Sequence, residues 1–336
     1  MAPKLSVIIP AYNAAASLGE CLAALKRQEG APDFEVLVVD DASTDATAEI
    51  ARQAGVIYLR QEQNLGAAAA RNRGAKQAQG ELLLFLDADV ALQKDATAKL
   101  GRFFQSHPEL AAAIGTYTPI SSRPDPCSRY HNFFTFYHHD LSGDEVEWFW
   151  GAIGAVRREA FLAAGGFDER YAGAAAEDIQ FGYELCERGY RIAYLRELAG
   201  DHLHRFGLRS MLWNDYRKAV LGTKLYLTRK RPGRGRHGFS NPANALALIA
   251  VLLLMVSLLG LGFGLVPWFT PLLCLILFMV VNGKFYRALA ESLGGKFLLA
   301  AVPLHLLSFL AIAAGTVMGL AGLALGRPRQ GKSSWL

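Results

Sequence analysis

Hydrophobic and polar positions divide this chain into two unlike parts. Over the first hundred residues, short apolar runs alternate with helical periodicity: LSVII (5–9), FEVLVV (34–39), VIYL (56–59) and ELLLFL (81–86) are separated by stretches such as AAASLGECLAALKRQ (14–28). Runs that are apolar throughout read as strands buried on both faces. Strand, helix, strand at this spacing predicts an α/β fold, a mostly parallel sheet flanked by helices. From Ala243 to Leu325 the pattern changes to long apolar stretches at 243–266, 267–281 and 297–325. A helix rises about 1.5 Å per residue and the hydrocarbon core of a bilayer is about 30 Å thick, so the first and third are long enough to cross. The second reaches that length only if Asn282 and the following turn join it, so about three transmembrane helices are expected.

Charge adds an orientation. Of the net +5, much sits in TRKRPGRGRH (228–237), just before the first apolar stretch. Basic residues favour the cytoplasmic side, which predicts a multi-pass protein of the cell (inner) membrane with its N-terminal part in the cytoplasm. Such a cluster beside a membrane meets anionic lipid, and no nucleic-acid partner is expected. Arg327, Arg329 and Lys332 conflict with a single third crossing, because they would then lie outside. The start, MAPKLSVIIPAYN, has too brief an apolar run for a cleavable signal peptide. Cys21, Cys127, Cys186 and Cys274 form no CxxC pair, so neither a zinc knuckle nor a disulfide framework is indicated.

Ligands of such sheets bind beyond the carboxyl ends of the strands. Polar clusters stand at three of those ends: PAYN (10–13), DDAST (40–44) and DAD (87–89). Taken singly, Asn13 and Thr44 are equally helix N-caps and Asp41 a turn residue. There is no GxGxxG after a strand and no GxxxxGK[ST], so neither a dinucleotide fingerprint nor a P-loop accounts for this edge. In an extended segment, side chains two apart share a face, so Asp87 and Asp89 can aim at one point. Two unit charges that close repel by about 1 to 4 kcal/mol at surface-like dielectrics. A hard divalent cation, Mg²⁺ or Mn²⁺, reverses that sign and shares its shell with substrate phosphates; a solvated loop capping the next helix is the plainer alternative.

The ordered set SVIIPAYN, VVDDASTD, NLGAAAARNRG, FLDAD, GGFDERY and AEDIQFGYELCERGYRIAY resembles the inverting family-two glycosyltransferases of GT-A fold, over roughly residues 4–205. The resemblance implies a GT-A domain over 1–205 that moves a sugar from a nucleotide-diphosphate sugar. Asp41 would contact the nucleobase, with Pro10, Tyr12 and Asn13 lining the same pocket. Asp87 would lie near the ribose and the metal, and Asp89 would be the main metal carboxylate. Arg71 looks like a base or phosphate contact, or else part of a solvated helix face. Of the pair Glu177 and Asp178, the second matches the catalytic base. Neighbours on a helix point about 100° apart, so only one of them faces a given substrate. His202 stands near a position where the family often has a metal ligand, with His204 as substitute.

Three departures touch the acceptor side more than the donor side: Ala42 where Gly is usual, Glu184 where Arg is common, and Arg196 where Pro is frequent. No QxxRW follows the base, which favours single addition over processive synthesis. The aromatic, histidine-rich RYHNFFTFYHHD (129–140) has poor zinc-ligand spacing and is expected to form an aromatic surface at the acceptor groove or membrane interface. Trp148 and Trp150 are candidates for stacking on the acceptor, with core packing as the alternative. A helix over 206–227, within a juxtamembrane segment 206–238, is expected to lie in the lipid interface or to pack on the sheet. Several apolar spans make sense for a lipid or lipid-linked acceptor. A metal-dependent nucleotidyltransferase and a non-catalytic nucleotide-sensing membrane protein remain as other classes. The first would need a basic loop after the opening strand, where PAYNAAASLGE has none.

Overall fold

A computed structural model describes residues 5–170, 176–228 and 241–325. The predicted strands form as β1 (Leu5–Ala11), β2 (Phe34–Asp40), β3 (Ile57–Arg60) and β4 (Leu82–Leu86). Further along come β5 (Val90–Leu92), β6 (Ala112–Tyr117), β7 (Glu145–Val146), β8 (Ile153–Arg157) and β9 (Ile192–His202). The helices of this part are α1 (Leu18–Lys26), α2 (Thr47–Gln53), α3 (Ala67–Gln77), α4 (Ala96–Ser106), α5 (Pro126–Asp140), α6 (Arg158–Ala164) and α7 (Glu177–Glu187). After them come α8 (Leu208–Thr228), α9 (Pro242–Gly262), α10 (Thr270–Val281), α11 (Gly283–Leu293) and α12 (Leu298–Ala324).

The strands make one sheet in the order β3-β2-β1-β4-β8-β6-β9-β5, with β7 beside β9. The first four are parallel, as their spacing predicted. The sheet as a whole is mixed, however, because β8 runs antiparallel to both β4 and β6, and β9 antiparallel to β5. An all-apolar run reports that both faces of a strand are covered; it does not report the direction of its neighbour. The β4 run LLLFL is buried at every position. One face packs on α1 and α4 through Leu18, Leu22, Leu84 and Leu100. The other packs through Phe85, Phe149, Phe161 and Phe181. Each fully buried side chain of this size stabilises by about 1.5 to 3 kcal/mol.

The antiparallel strand shapes the site. Because β8 opposes β4, its first residue Ile153 pairs with Leu86, the last of β4. The loop before β8 therefore reaches the sheet edge that carries Asp87. At the end of β9, His202 pairs with Val90, just after the DAD segment.

The C-terminal helices leave the span count at two or three and correct one expectation. Pro242–Gly262 and Gly295–Ala324 are long and apolar enough to cross a membrane, whereas α10 and α11 meet at a 57° bend and count as a third span only if taken together. The expected stretch 267–281 yields a helix that starts at Thr270 and holds 12 residues, too short to cross alone. The aromatic segment 129–140 is not a surface. Tyr130, Phe133 and Phe134 of α5 are buried against Phe285, Phe297, His305 and Phe309 of the C-terminal helices, so α5 joins the two parts of the chain. Asp125 caps α5 by accepting from the Ser128 N–H, and Pro126 occupies its first turn.

Helix α8 packs on α12, not on the sheet. Met211, Asp215 and Leu225 are its buried residues, while Leu208, Trp213, Tyr226 and Leu227 stay exposed. Gly315 and Gly319 of α12 allow the approach: a Cβ at Gly319 would lie 2.9 Å from the Val220 carbonyl oxygen and from Thr223 Cβ. Small residues four apart are a usual device for close helix packing in membranes. The basic segment 228–237, apart from Thr228, lies outside the described residues, as do Arg327, Arg329 and Lys332.

Candidate functional site

The site forms along the edge where β1, β2 and β4 end. After β1 and β2, two loops lock together: the Asn13 N–H donates to Ser43 Oγ (2.9 Å) and the Thr44 N–H to Asn13 Oδ1 (2.9 Å). Asn13 (φ 48°) and Ala42 (φ 64°) hold left-handed backbone there. Such a conformation costs an alanine about 1 to 2 kcal/mol, which gives the departure from Gly at position 42 a physical meaning. Tyr12 is exposed beside this turn and Pro10 is half-buried.

Asp41 is buried and already engaged. It accepts from Gln61 Nε2 (2.5 Å), the Leu65 N–H (2.8 Å) and the Gly66 N–H (2.7 Å). Its carboxylate therefore holds the loop that leads into α3. Asp40, behind it, accepts from the Ser43 N–H, Tyr58 and Arg60.

Arg71, on α3, is only 4% exposed, which rules out a solvated helix face. Its Nη2 donates to Asp87 Oδ1 at 2.8 Å and its Nη1 to Glu177 Oε1 at 2.9 Å. Glu177 opens α7 and is buried, whereas Asp178, about 100° round the helix, is half-buried and accepts from the Gly151 N–H at 3.0 Å. The two acids are thus separated by tertiary contacts that local helix geometry could not assign. Burial, followed by the charge of Glu177, raises the Asp178 pKa to about 6. Burial and the nearby Asp89 also push Asp87 up, against the pull of Arg71.

Asp89 faces two imidazoles. His202 Nε2 lies 3.5 Å and His204 Nδ1 3.8 Å from its Oδ2. Burial works to raise Asp89, yet the facing imidazoles outweigh it and hold this carboxyl below the usual range. The His202 ring stacks on Tyr117 with centroids 4.3 Å apart and planes at 7°, which fixes its direction. Tyr117 was missed by sequence reasoning, since an aromatic at the end of a strand carries no local signal of what it stacks on. Among the described residues no three His, Cys, Asp or Glu side chains form a complete metal cage. Asp87 is turned to Arg71, so the expected Asp87, Asp89, His202 set is not assembled as such.

The two tryptophans part company. Trp148 is 3% exposed and packs with Phe149 and Phe181 in the core, so it cannot stack on a substrate. Trp150 is half-buried against Tyr117 and His139, one residue from Gly151. Arg196 ties β9 to the end of α5 through Asp140 (2.7 Å) and to Asp144 (2.9 Å), a structural use for that departure.

Comparison with known proteins agrees with this architecture. Residues 6–163 match the model described as "Glycosyl transferase family 2". The chain is 34% identical over 251 residues to a validoxylamine A glucosyltransferase of Streptomyces hygroscopicus subsp. limoneus; the match covers 63% of this chain but only 55% of that protein. It is 25% identical to the O-antigen chain rhamnosyltransferase RfbN of Salmonella typhimurium, over 70% of this chain and 78% of that one. In structure it resembles the mannosyltransferase PcManGT from Pyrobaculum calidifontis, solved with GDP-Man and Mn²⁺, with a TM-score of 0.61, 21% identity and coverage of 94% and 88% of the two chains. Residues 6–163 thus resemble a glycosyl transferase family 2 domain, on an α/β fold of the GT-A kind followed by helices apolar enough to span a membrane.

Proposed function

We propose that the protein is a membrane-anchored, inverting glycosyltransferase that moves a sugar from a nucleotide-diphosphate sugar to a lipid or lipid-linked acceptor, with a divalent metal at Asp89 and His202. The carrying observation is the position of Asp178: a half-buried carboxylate, oriented by the Gly151 N–H and set across Arg71 from the Asp87 edge.

Pro10, Tyr12, Asn13 and Asp41 belong to the donor pocket, the last through the loop it holds. Asp178 accepts the proton of the acceptor hydroxyl as that oxygen attacks C1 of the sugar, and the nucleoside diphosphate leaves from the opposite face. With a pKa of about 6 the group is mostly ionised at pH 7 and more basic than an ordinary aspartate, which suits a general base. Glu177 stays paired with Arg71 and leaves the proton to its neighbour.

The donor set at Asp89 and His202, one carboxylate facing imidazole nitrogen, fits Mn²⁺ or Mg²⁺ once diphosphate oxygens and water complete the shell. Such an ion would neutralise the departing diphosphate. Supporting the acceptor class, α5 touches both the site region, through His131 near His202 and His139 beside Trp150, and the apolar helices, through Tyr130, Phe133 and Phe134. The basic segment before α9 favours a cytoplasmic catalytic domain in the cell membrane.

The test is sugar transfer by purified protein in membranes with endogenous lipid extracted and then restored, across a panel of nucleotide sugars. Transfer should require added lipid, stop with chelator and return with Mn²⁺. Asp178→Asn should lose at least about a hundredfold in turnover while still binding nucleoside diphosphate. Lipid-independent transfer to a soluble sugar would remove the acceptor class.

A further inference from the structure

We propose that Gly151 is a positioning residue that couples the donor edge to the catalytic base through Arg71, an inference that rests on the glycosyltransferase reading and adds a residue to it. Three observations converge on this one position. Its N–H donates to Asp178 Oδ2 at 3.0 Å. Its Cα faces the buried guanidinium so closely that a Cβ would lie 2.8 Å from Arg71 Cζ and 3.0 Å from Nη2. Its neighbour Ala152 accepts the Asp87 N–H at 3.0 Å, which pins the loop to the end of β4.

The requirement for glycine here is spatial. Gly151 is not among the residues with positive φ, so its backbone is open to any L residue. A methyl group meets the far end of one side chain and no backbone atom among its nearest neighbours. A free arginine would swing away at little cost. Arg71 is held between Asp87 and Glu177 and is 4% exposed, so it can yield only by loosening one of those ion pairs. Gly151→Ala therefore acts on the site and spares the core. It moves the cation that stabilises ionised Asp178 and shifts the N–H that aims this carboxylate.

The charged groups around Asp178 are Glu177, adjacent on α7, and Arg71 from α3, with the Gly151 and Ile179 N–H groups as its hydrogen-bond donors. Weakening the Arg71 contribution leaves the repulsion from Glu177 less opposed.

The experiment compares wild type, Gly151→Ala, Arg71→Ala and the double variant in the transfer assay, with thermal unfolding as a control. Gly151→Ala is expected to unfold below the wild-type temperature but above that of Arg71→Ala, to lose about tenfold or more in kcat, a misplacement effect, and to move the acid limb of its pH profile upward. In the Arg71→Ala background, the added methyl should cost little further, because no guanidinium is left to displace. Full additivity of the two losses, or a Gly151→Ala enzyme with wild-type kcat and pH profile, overturns the proposal. If Arg71→Ala does not fold, the pH profile of Gly151→Ala alone decides. Failure of the wild-type enzyme to transfer any sugar would instead sink the glycosyltransferase reading, so the two are told apart.

Discussion

Arg71 and Glu177 are 106 residues apart in sequence and form a buried ion pair of 2.9 Å, both side chains under 5% exposed. Arg71 also reaches Asp87 at 2.8 Å, so a single guanidinium joins the end of β4 to the start of α7. Removing one member of such a pair strands a charge in a low-dielectric setting, which typically costs about 3 to 5 kcal/mol. Arg71→Ala should lower the unfolding temperature sharply. Adding Glu177→Gln, which discharges the stranded acid, should recover part of that loss. Independent, additive effects in thermal unfolding would argue against the pair as a unit.

The Asp178 pKa of about 6 sets a pH dependence. A general base works ionised, so kcat should fall as pH drops through about 6, and not nearer 4 as for an ordinary aspartate. The stability effect has the opposite direction. The folded chain holds this proton more tightly than the unfolded one, so stability from the protonated form is full below the unfolded value and is lost as pH rises through the folded one. Asp178→Asn should therefore unfold at the same or a higher temperature than wild type at pH 7.5, and the gap should close at pH 4. Activity and thermal unfolding measured across pH 4 to 8 check both signs.

Ala42 sits at φ 64° in the turn that bears Asp41. Gly at this position relieves the left-handed strain but adds freedom to the unfolded chain, offsetting about 0.4 to 1 kcal/mol of the gain. Ala42→Gly should stabilise by up to about 1 kcal/mol and leave nucleotide binding intact. A lower unfolding temperature for this variant would show that the turn is held in some other way.

Gly319→Val should undock α8 from α12, since the new side chain meets the Val220 carbonyl and Thr223. Limited proteolysis in detergent should then cut near 206–228 faster than in wild type, while the α/β part stays resistant.

Much of the fold was legible in the sequence because burial on both faces writes itself as unbroken apolar runs. The first four strands, the two long apolar helices and the acids at the strand ends could all be read that way. The second apolar stretch could not, because hydropathy is blind to the 57° bend after α10. Trp148 and Trp150 look alike in sequence, yet only the packing of the loop before β8 on α7 buries one and leaves the other beside Tyr117. The aromatics of α5 were expected to face outward because nothing local records that α12 and α11 will cover them.

By itself, then, the sequence determined the residue types at the edge: DAD, the adjacent acids 177 and 178, and an arginine on the helix after β3. Tertiary structure alone decided which group each carboxylate faces. Arg71 claims Glu177 and Asp87, the two imidazoles face Asp89, and the Gly151 N–H selects Asp178. The reason is range: propensity and periodicity act over a few residues, whereas each of these assignments depends on an opposite group more than 15 residues away along the chain.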